Sequence, residues 1–277
     1  MFIASYYLFW VIYTYLFTLI FNLDFTNLAN PWLYVLLVVS ILLSAIISFA
    51  TQIIITQIFG IFRQNKGIKD QFNHKFANSL LRFGTHLMRA KVIVTGKENI
   101  PEPDHNFILM SNHQENWDIL ILKPIFKDHI VNFIAKAALT NLPIFGRWIE
   151  VLGNVFISRY ADRSAAESII KGIRNYKSGT SMGIFPEGKR AFGNEMIDFK
   201  SGAMKLAMKP QADILIATQY DTCKAFKSIP WKRYHIRVHI HPILKFEDYE
   251  GLNSHEVSAK VKATIQKQLD IFKKELN

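Results

Sequence analysis

The sequence predicts an α/β sandwich carried behind a hydrophobic two-helix membrane hairpin. Three observations lead there. Residues 1–62 contain no Lys or Arg and a single acid, Asp24, while all 33 basic residues and the other 21 acids follow from Arg63 onward. Beyond residue 90, short apolar runs of strand length alternate with helix-like runs, the pattern of an α/β domain. Several of those apolar runs end in polar tips rich in His, Asp, Arg and Lys, the place where α/β folds usually carry their chemistry. The expected division is a hairpin over residues 1–62 and an α/β domain over 63–277.

Residues 1–23 are almost wholly apolar and aromatic, and as a helix they reach about 33 Å, enough for a bilayer core. Asp24, Asn27 and Asn30 mark a turn before Pro31. Residues 32–62 form a second apolar run, longer than one span requires. Arg63, Lys66 and Lys69 follow at once, which predicts a cytoplasmic domain at the cell membrane. With no basic residues ahead of the first run, it reads as an anchor and not as a cleaved signal. A re-entrant or in-plane hairpin is the alternative to a crossing one.

Phe72, Phe76, Leu80, Phe83 and Leu87 recur at helical spacing. Lys75, Arg82, Arg89 and Lys91 flank them, so the stripe suits the domain, the membrane surface, or both. Strands are expected at 92–95, 107–110, 130–135, 154–158, 181–185, 213–218 and 235–241. Helices are expected from about 117, over 162–177, 201–209 and 257–276, with a helical stretch broken at Pro143 and Gly146.

The net charge of +11 points to an anionic partner. It is spread through the domain with no recognised nucleic-acid motif, so nucleic acid is not expected. The single cysteine, Cys223, excludes an internal disulfide and a thiolate zinc cluster. His235, Arg237, His239 and His241 alternate with apolar residues and read as one face of a half-buried strand, not a metal site.

The central stretch is Ser111-Asn112-His113-Gln114-Glu115-Asn116-Trp117-Asp118. His113 and Asp118 meet only if the chain turns between them, because five residues of unbroken helix set them about 140° apart. Meeting, they let a carboxylate hold one imidazole nitrogen and leave the other as a base. The same residues also suit a simple helix cap. A second tip, Phe185-Pro186-Glu187-Gly188-Lys189-Arg190, combines a tight turn, an acceptor and two cations. A third ends in Arg159, a natural phosphate fork. Lys136 closes a fourth run, and Phe199-Lys200-Ser201-Gly202-Ala203 leads into a helix.

Taken together and in order, these segments resemble the 1-acyl-sn-glycerol-3-phosphate acyltransferase family of glycerolipid acyltransferases, over about residues 75–220. Asn112-His113 with Asp118 looks like the family's NH-x4-D motif, 153–159 like its second and 185–190 like its third. The resemblance implies a glycerol-3-phosphate acyltransferase-like αβ sandwich that moves an acyl group from acyl-CoA or acyl carrier protein to lysophosphatidic acid, a membrane lipid. It implies His113 as general base and Asp118 as its support. Arg159, Lys189 and Arg190 would hold the phosphate, Glu187 a glycerol hydroxyl, and Lys136 with an amide near Gly188 the oxyanion. No metal or cofactor is implied. Glu115, Ala138 and Lys189 depart from the usual pattern, and no Pro interrupts residues 214–217. Glycerol 3-phosphate or another lysophospholipid is the alternative acceptor. A non-catalytic scaffold for anionic lipid is the reading of another class.

Overall fold

The computed structural model describes residues 1–136, 148–149, 151–157, 162–225 and 233–276, except the side chains of 162–164. Two compact units are present, residues 1–65 and 66–277.

The first unit is a pair of helices, α1 (Phe2–Ile20) and α2 (Pro31–Arg63), both long and apolar enough to cross a membrane by length and composition. Pro31 starts α2 where its missing N–H costs nothing, and the Asn30 side chain accepts from the Trp32 amide. Ser40, Ser44, Ser48 and Gln52, four residues apart, form the buried stripe of α2. Small polar side chains let two apolar helices approach and hydrogen-bond without water. Thr14 and Ser44 hydroxyls meet at 2.6 Å, Ser48 donates to the Tyr6 carbonyl at 2.7 Å, and Gln52 Nε2 to Ser5 Oγ at 2.9 Å.

The second unit is built on one sheet of seven strands: β1 (Ala90–Thr95), β2 (Ile108–Ser111), β3 (Val131–Lys136), β4 (Val155–Ile157), β5 (Ser181–Ile184), β6 (Ile214–Tyr220) and β7 (Tyr234–Ile240). Their order is β1-β7-β6-β2-β5-β3-β4. The β6–β7 pair is antiparallel and every other pair is parallel. All seven expected strands are present, with ends shifted by at most two residues. The expected strand end at Ser158, the break at Pro143 and Gly146, and Ala138 lie outside the described residues.

Both faces of the sheet are covered, so the central strands are apolar throughout and not alternating. Ile108, Met110, Ile214 and Ile216 point to one side, against α7 (Ser254–Leu276), through Val257, Val261 and Ile265. Phe107, Leu109, Leu215 and Ala217 point to the other, with Ile121, Leu122 and Phe126. Here lie α3 (Gln71–Leu87) and the short α4 (Asp118–Leu122). Asp70 caps α3, accepting from the Asn73 amide at 2.8 Å. Phe76, Leu80 and Phe83 of its stripe are buried, whereas Phe72 and Leu87 at its ends are exposed. α5 (Asp162–Lys177) packs near β4 and β5, and the expected helix over 201–209 is a 3₁₀ turn, Ser201–Met204, running into α6 (Lys205–Met208).

One buried cation stands out beneath α3. Lys123 Nζ donates to the Val131 carbonyl and lies 3.3 Å from His74 Nδ1, while His74 Nε2 lies 2.9 Å from the Ile68 carbonyl. This pairing fits a neutral imidazole that donates at Nε2 and accepts at Nδ1. Burial, then the Lys123 charge, pushes His74 down to about 3, and burial pushes Lys123 down to about 7. Below pH 7 the native state must hold a buried charge that the unfolded chain holds in water. From pH 7 to about 10.5 the native amine is neutral and the unfolded one charged, so stability rises with pH. Lys123→Met removes this contribution. In urea unfolding followed by tryptophan fluorescence, wild type should gain on Lys123→Met by up to about 1.4 kcal/mol per pH unit above pH 7. A pH-independent difference between the two would refute the buried-amine assignment.

Candidate active site

Because β2, β3, β4 and β5 run parallel, their carboxyl ends open on the same edge of the sheet, where α/β ligand sites form. The chain leaving β2 turns at 112–117 and enters α4 at Asp118. Asp118 is fully buried, and its Oδ2 takes three contacts: His113 Nδ1 at 2.7 Å, the Gln114 amide at 2.6 Å and the Glu115 amide at 3.0 Å. One carboxylate oxygen at a helix start thus closes the turn and fixes the imidazole. The expected meeting of His113 and Asp118 across a turn is what the structure contains.

The imidazole is fixed on its face as well. The Phe185 ring stacks on His113 with centroids 4.4 Å apart and planes 14° off parallel, and Phe133 backs Phe185 at 6.1 Å. Phe133 fits because Gly183 stands opposite it in the β3–β5 register; a Cβ there would come within 2.5 Å of the ring. With Nδ1 committed to Asp118, Nε2 is left without a hydrogen bond among the described residues, on a ring that lines a cavity of about 630 Å³.

The turn after β5 locks against the His113 loop. Glu187 Oε1 accepts from the His113 amide at 2.7 Å, and Oε2 from the Ile197 amide at 3.0 Å. Ala191 donates to the His113 carbonyl at 2.8 Å and Phe192 to that of Gln114 at 3.2 Å. These bonds hold Phe192 at φ +59°, a conformation costly for a side chain of its size. Burial pushes the Glu187 carboxyl above its ordinary range, and the two amides only partly offset it. Gln114 ties the same loop to the end of β6: its Nε2 donates to Asn194 Oδ1 and the Gln219 carbonyl, and its Oε1 accepts from Thr222 and Cys223.

Two expected site residues carry backbone contacts here. Glu187 is buried with both oxygens accepting from backbone amides, so it braces the two loops. The Gly188 amide donates to the Phe185 carbonyl at 3.0 Å. Gly188, at φ +67°, is itself on the cavity wall, with the Lys200 side chain lying over it. Lys189 is exposed and outside the cavity lining, whereas Arg190 and Lys136 line it. Arg159 lies outside the described residues. Arg190 Nη1 is 3.4 Å from Glu115 Oε2, and its guanidinium sits 4.5 Å from the centroid of the Phe192 ring. The sequence reading missed Phe185 as a platform and Glu115 as the partner of Arg190. It also missed Lys205 and Lys209 on the cavity wall. Only the five-residue and four-residue steps from Lys200 hinted at these last two.

The lining also includes the apolar Ile134, Ala135, Ile157, Ala166 and Ile169. An imidazole, several cations and apolar side chains in one cavity suit an anionic, amphipathic substrate.

Comparison with known proteins gives the same direction. A family model described as Acyltransferase matches residues 91–220. The 1-acyl-sn-glycerol-3-phosphate acyltransferase of Borreliella burgdorferi is 35% identical over 198 residues, covering 70% of this chain and 77% of that one. The enzyme of that name from Saccharomyces cerevisiae is 32% identical over 127 residues, covering 45% of this chain and 41% of the relative. The crystal structure of the 1-acyl-sn-glycerophosphate acyltransferase PlsC from Thermotoga maritima superposes with a TM-score of 0.62 at 24% identity, over 78% of this chain and 87% of that one, a likeness of fold. On its match to the Borreliella protein across most of both chains, this chain is an acyltransferase and belongs to the 1-acyl-sn-glycerol-3-phosphate acyltransferase family.

Proposed function

We propose that this protein transfers an acyl group from a thioester, acyl-CoA or acyl carrier protein, to the sn-2 hydroxyl of 1-acyl-sn-glycerol 3-phosphate, making phosphatidic acid. The observation that carries the reading is His113, held at Nδ1 by Asp118 with its other nitrogen unbonded on the cavity wall. Nε2 takes the proton of the acceptor hydroxyl as its oxygen attacks the thioester carbonyl. The carbonyl oxygen gathers negative charge, for which Lys136 is the proposed partner. The C–S bond then breaks, and the imidazolium returns the proton to the leaving thiolate. Asp118 stabilises the transient imidazolium and keeps the proton of the resting ring on Nδ1. Arg190, and Arg159 by its motif, hold the acceptor phosphate through forked hydrogen bonds. Lys200, lying over Gly188, adds a cation to that set. The hairpin keeps this domain at the bilayer, and Arg63, Lys66 and Lys69 directly after α2 favour the cytoplasmic side.

His113→Ala should lower turnover by on the order of 10²–10⁴ while the protein still partitions into membranes. The assay is formation of phosphatidic acid by purified, detergent-solubilised enzyme; near-normal turnover would remove the base. Asp118→Asn separates charge from geometry. Asp118 Oδ1 makes no hydrogen bond among the described residues, so an amide keeps its carbonyl at the Oδ2 position and its NH₂ at the empty one. Its thermal midpoint should therefore hold while kcat falls by on the order of 10². Collapse of the fold instead would show that the charge itself holds the turn.

Glu187→Gln tests the bracing role. An amide keeps one acceptor and turns a donor toward the other backbone N–H, a loss of about 1–3 kcal/mol. Thermal midpoint and kcat should fall together with the acceptor KM unchanged. A rise in acceptor KM alone, with stability intact, would restore the glycerol-binding role.

A further inference from the structure

The cavity beside His113 is lined by Lys136, Arg190, Lys200, Lys205 and Lys209, and among the described residues by no Asp or Glu. These cations are strung along the wall. The Lys200 amide donates to the Pro186 carbonyl at 2.9 Å, and its side chain lies against Gly188, so it belongs with Arg190 beside the base. Lys205 opens α6 and Lys209 caps its C-terminal end one turn later, both exposed, whereas Leu206 and Ala207 between them are fully buried. By the rise of the 3₁₀ turn and the helix, Lys205 lies about 8–10 Å and Lys209 about 14–18 Å from Lys200 along the chain.

Lys205 and Lys209 make no ion pair or side-chain hydrogen bond among the described residues. Two like charges at i, i+4 repel, and no carboxylate on this wall relieves them. Between the two cation groups the cavity wall is Gly202 and Ala203, with open space where a Gly202 side chain would be. The arrangement is an imidazole and one cation group at one end, an uncharged stretch, and a second cation pair beyond it.

We propose that Lys205 and Lys209 form a second anion subsite that takes the phosphate of the donor's phosphopantetheine arm. This inference rests on the proposed transfer from a thioester. The acceptor phosphate occupies the group near His113. The thioester sulfur also lies near His113, and its thin amide arm runs over Gly202 and Ala203 to place its phosphate on the outer lysines.

The test compares wild type, Lys205→Ala/Lys209→Ala and Lys205→Arg/Lys209→Arg, with 1-acyl-sn-glycerol 3-phosphate as acceptor. The donors are acyl-CoA, acyl carrier protein and the matching S-acyl N-acetylcysteamine, a thioester without phosphate. The double alanine variant should raise the KM of a phosphate-bearing donor about tenfold, with the acceptor KM held and the phosphate-free donor shifted less than twofold. The double arginine variant should recover most of the loss. Added salt should raise the donor KM of wild type more than that of the alanine variant. A rise with acyl-CoA alone supports the subsite through the nucleotide phosphates, and a rise with acyl carrier protein alone through the protein-borne arm. Unchanged donor KM, an equal rise with the phosphate-free thioester, or a rise in acceptor KM instead would overturn the subsite. A wild type inactive with every donor overturns the acyl-transfer reading, and this inference with it.

Discussion

The loop that carries His113 is closed by one carboxylate oxygen, Asp118 Oδ2. It sits at the first residue of a five-residue helix, where unsatisfied amides welcome negative charge. Two of its contacts are backbone amides of the loop and the third is the imidazole of His113. The hydrogen bonds that shape the loop are therefore those that aim the imidazole of His113. A loop closed by any other group would leave the ring to choose its own rotamer. Here the oxygen that closes the turn also holds Nδ1, and the Phe185 ring stacks on the imidazole.

That local knot is then tied into the sheet from two sides. Glu187 reaches from the turn after β5 to the His113 amide, and Asn112 pairs its side-chain amide with the backbone of Gln219, extending the β2–β6 ladder past its end. Buried polar groups are tolerable only when partnered, and these partners come from three different strand ends. The consequence is rigidity. Parallel strands with both faces buried cannot slide without breaking the apolar layers on each side, so the loops at their ends inherit a fixed spacing.

Sequence patterns carried the strands, the hairpin and the His113–Asp118 contact because each depends on local order: apolar runs, a charge boundary at Arg63, and a five-residue spacing. What they could not carry depends on residues far apart meeting in space. Glu187 looks like an exposed turn acid in sequence; it is buried because residues 74 positions earlier offer it an amide. Phe185 looks like the last residue of a strand, and its stacking on His113 follows from the β2–β5 pairing. Likewise, no local pattern singles out Lys123, which is buried under α3 beside His74.

The pairing of Arg190 shows what a second charge does in such a site. A lone guanidinium at the cavity wall would be solvated and free to rotate. Glu115, on the loop that carries the base, takes one edge of it at 3.4 Å, and the Phe192 ring takes its face. The fork is thereby pre-oriented at the cost of part of its charge. Arg190 and Glu115 are only partly exposed, so that pairing is screened less than a surface ion pair. Under the proposed acyl transfer, an acceptor phosphate would compete with Glu115 for that donor, and Glu115 stands on the loop that holds His113. The guanidinium and the imidazole are thus held by one connected set of contacts.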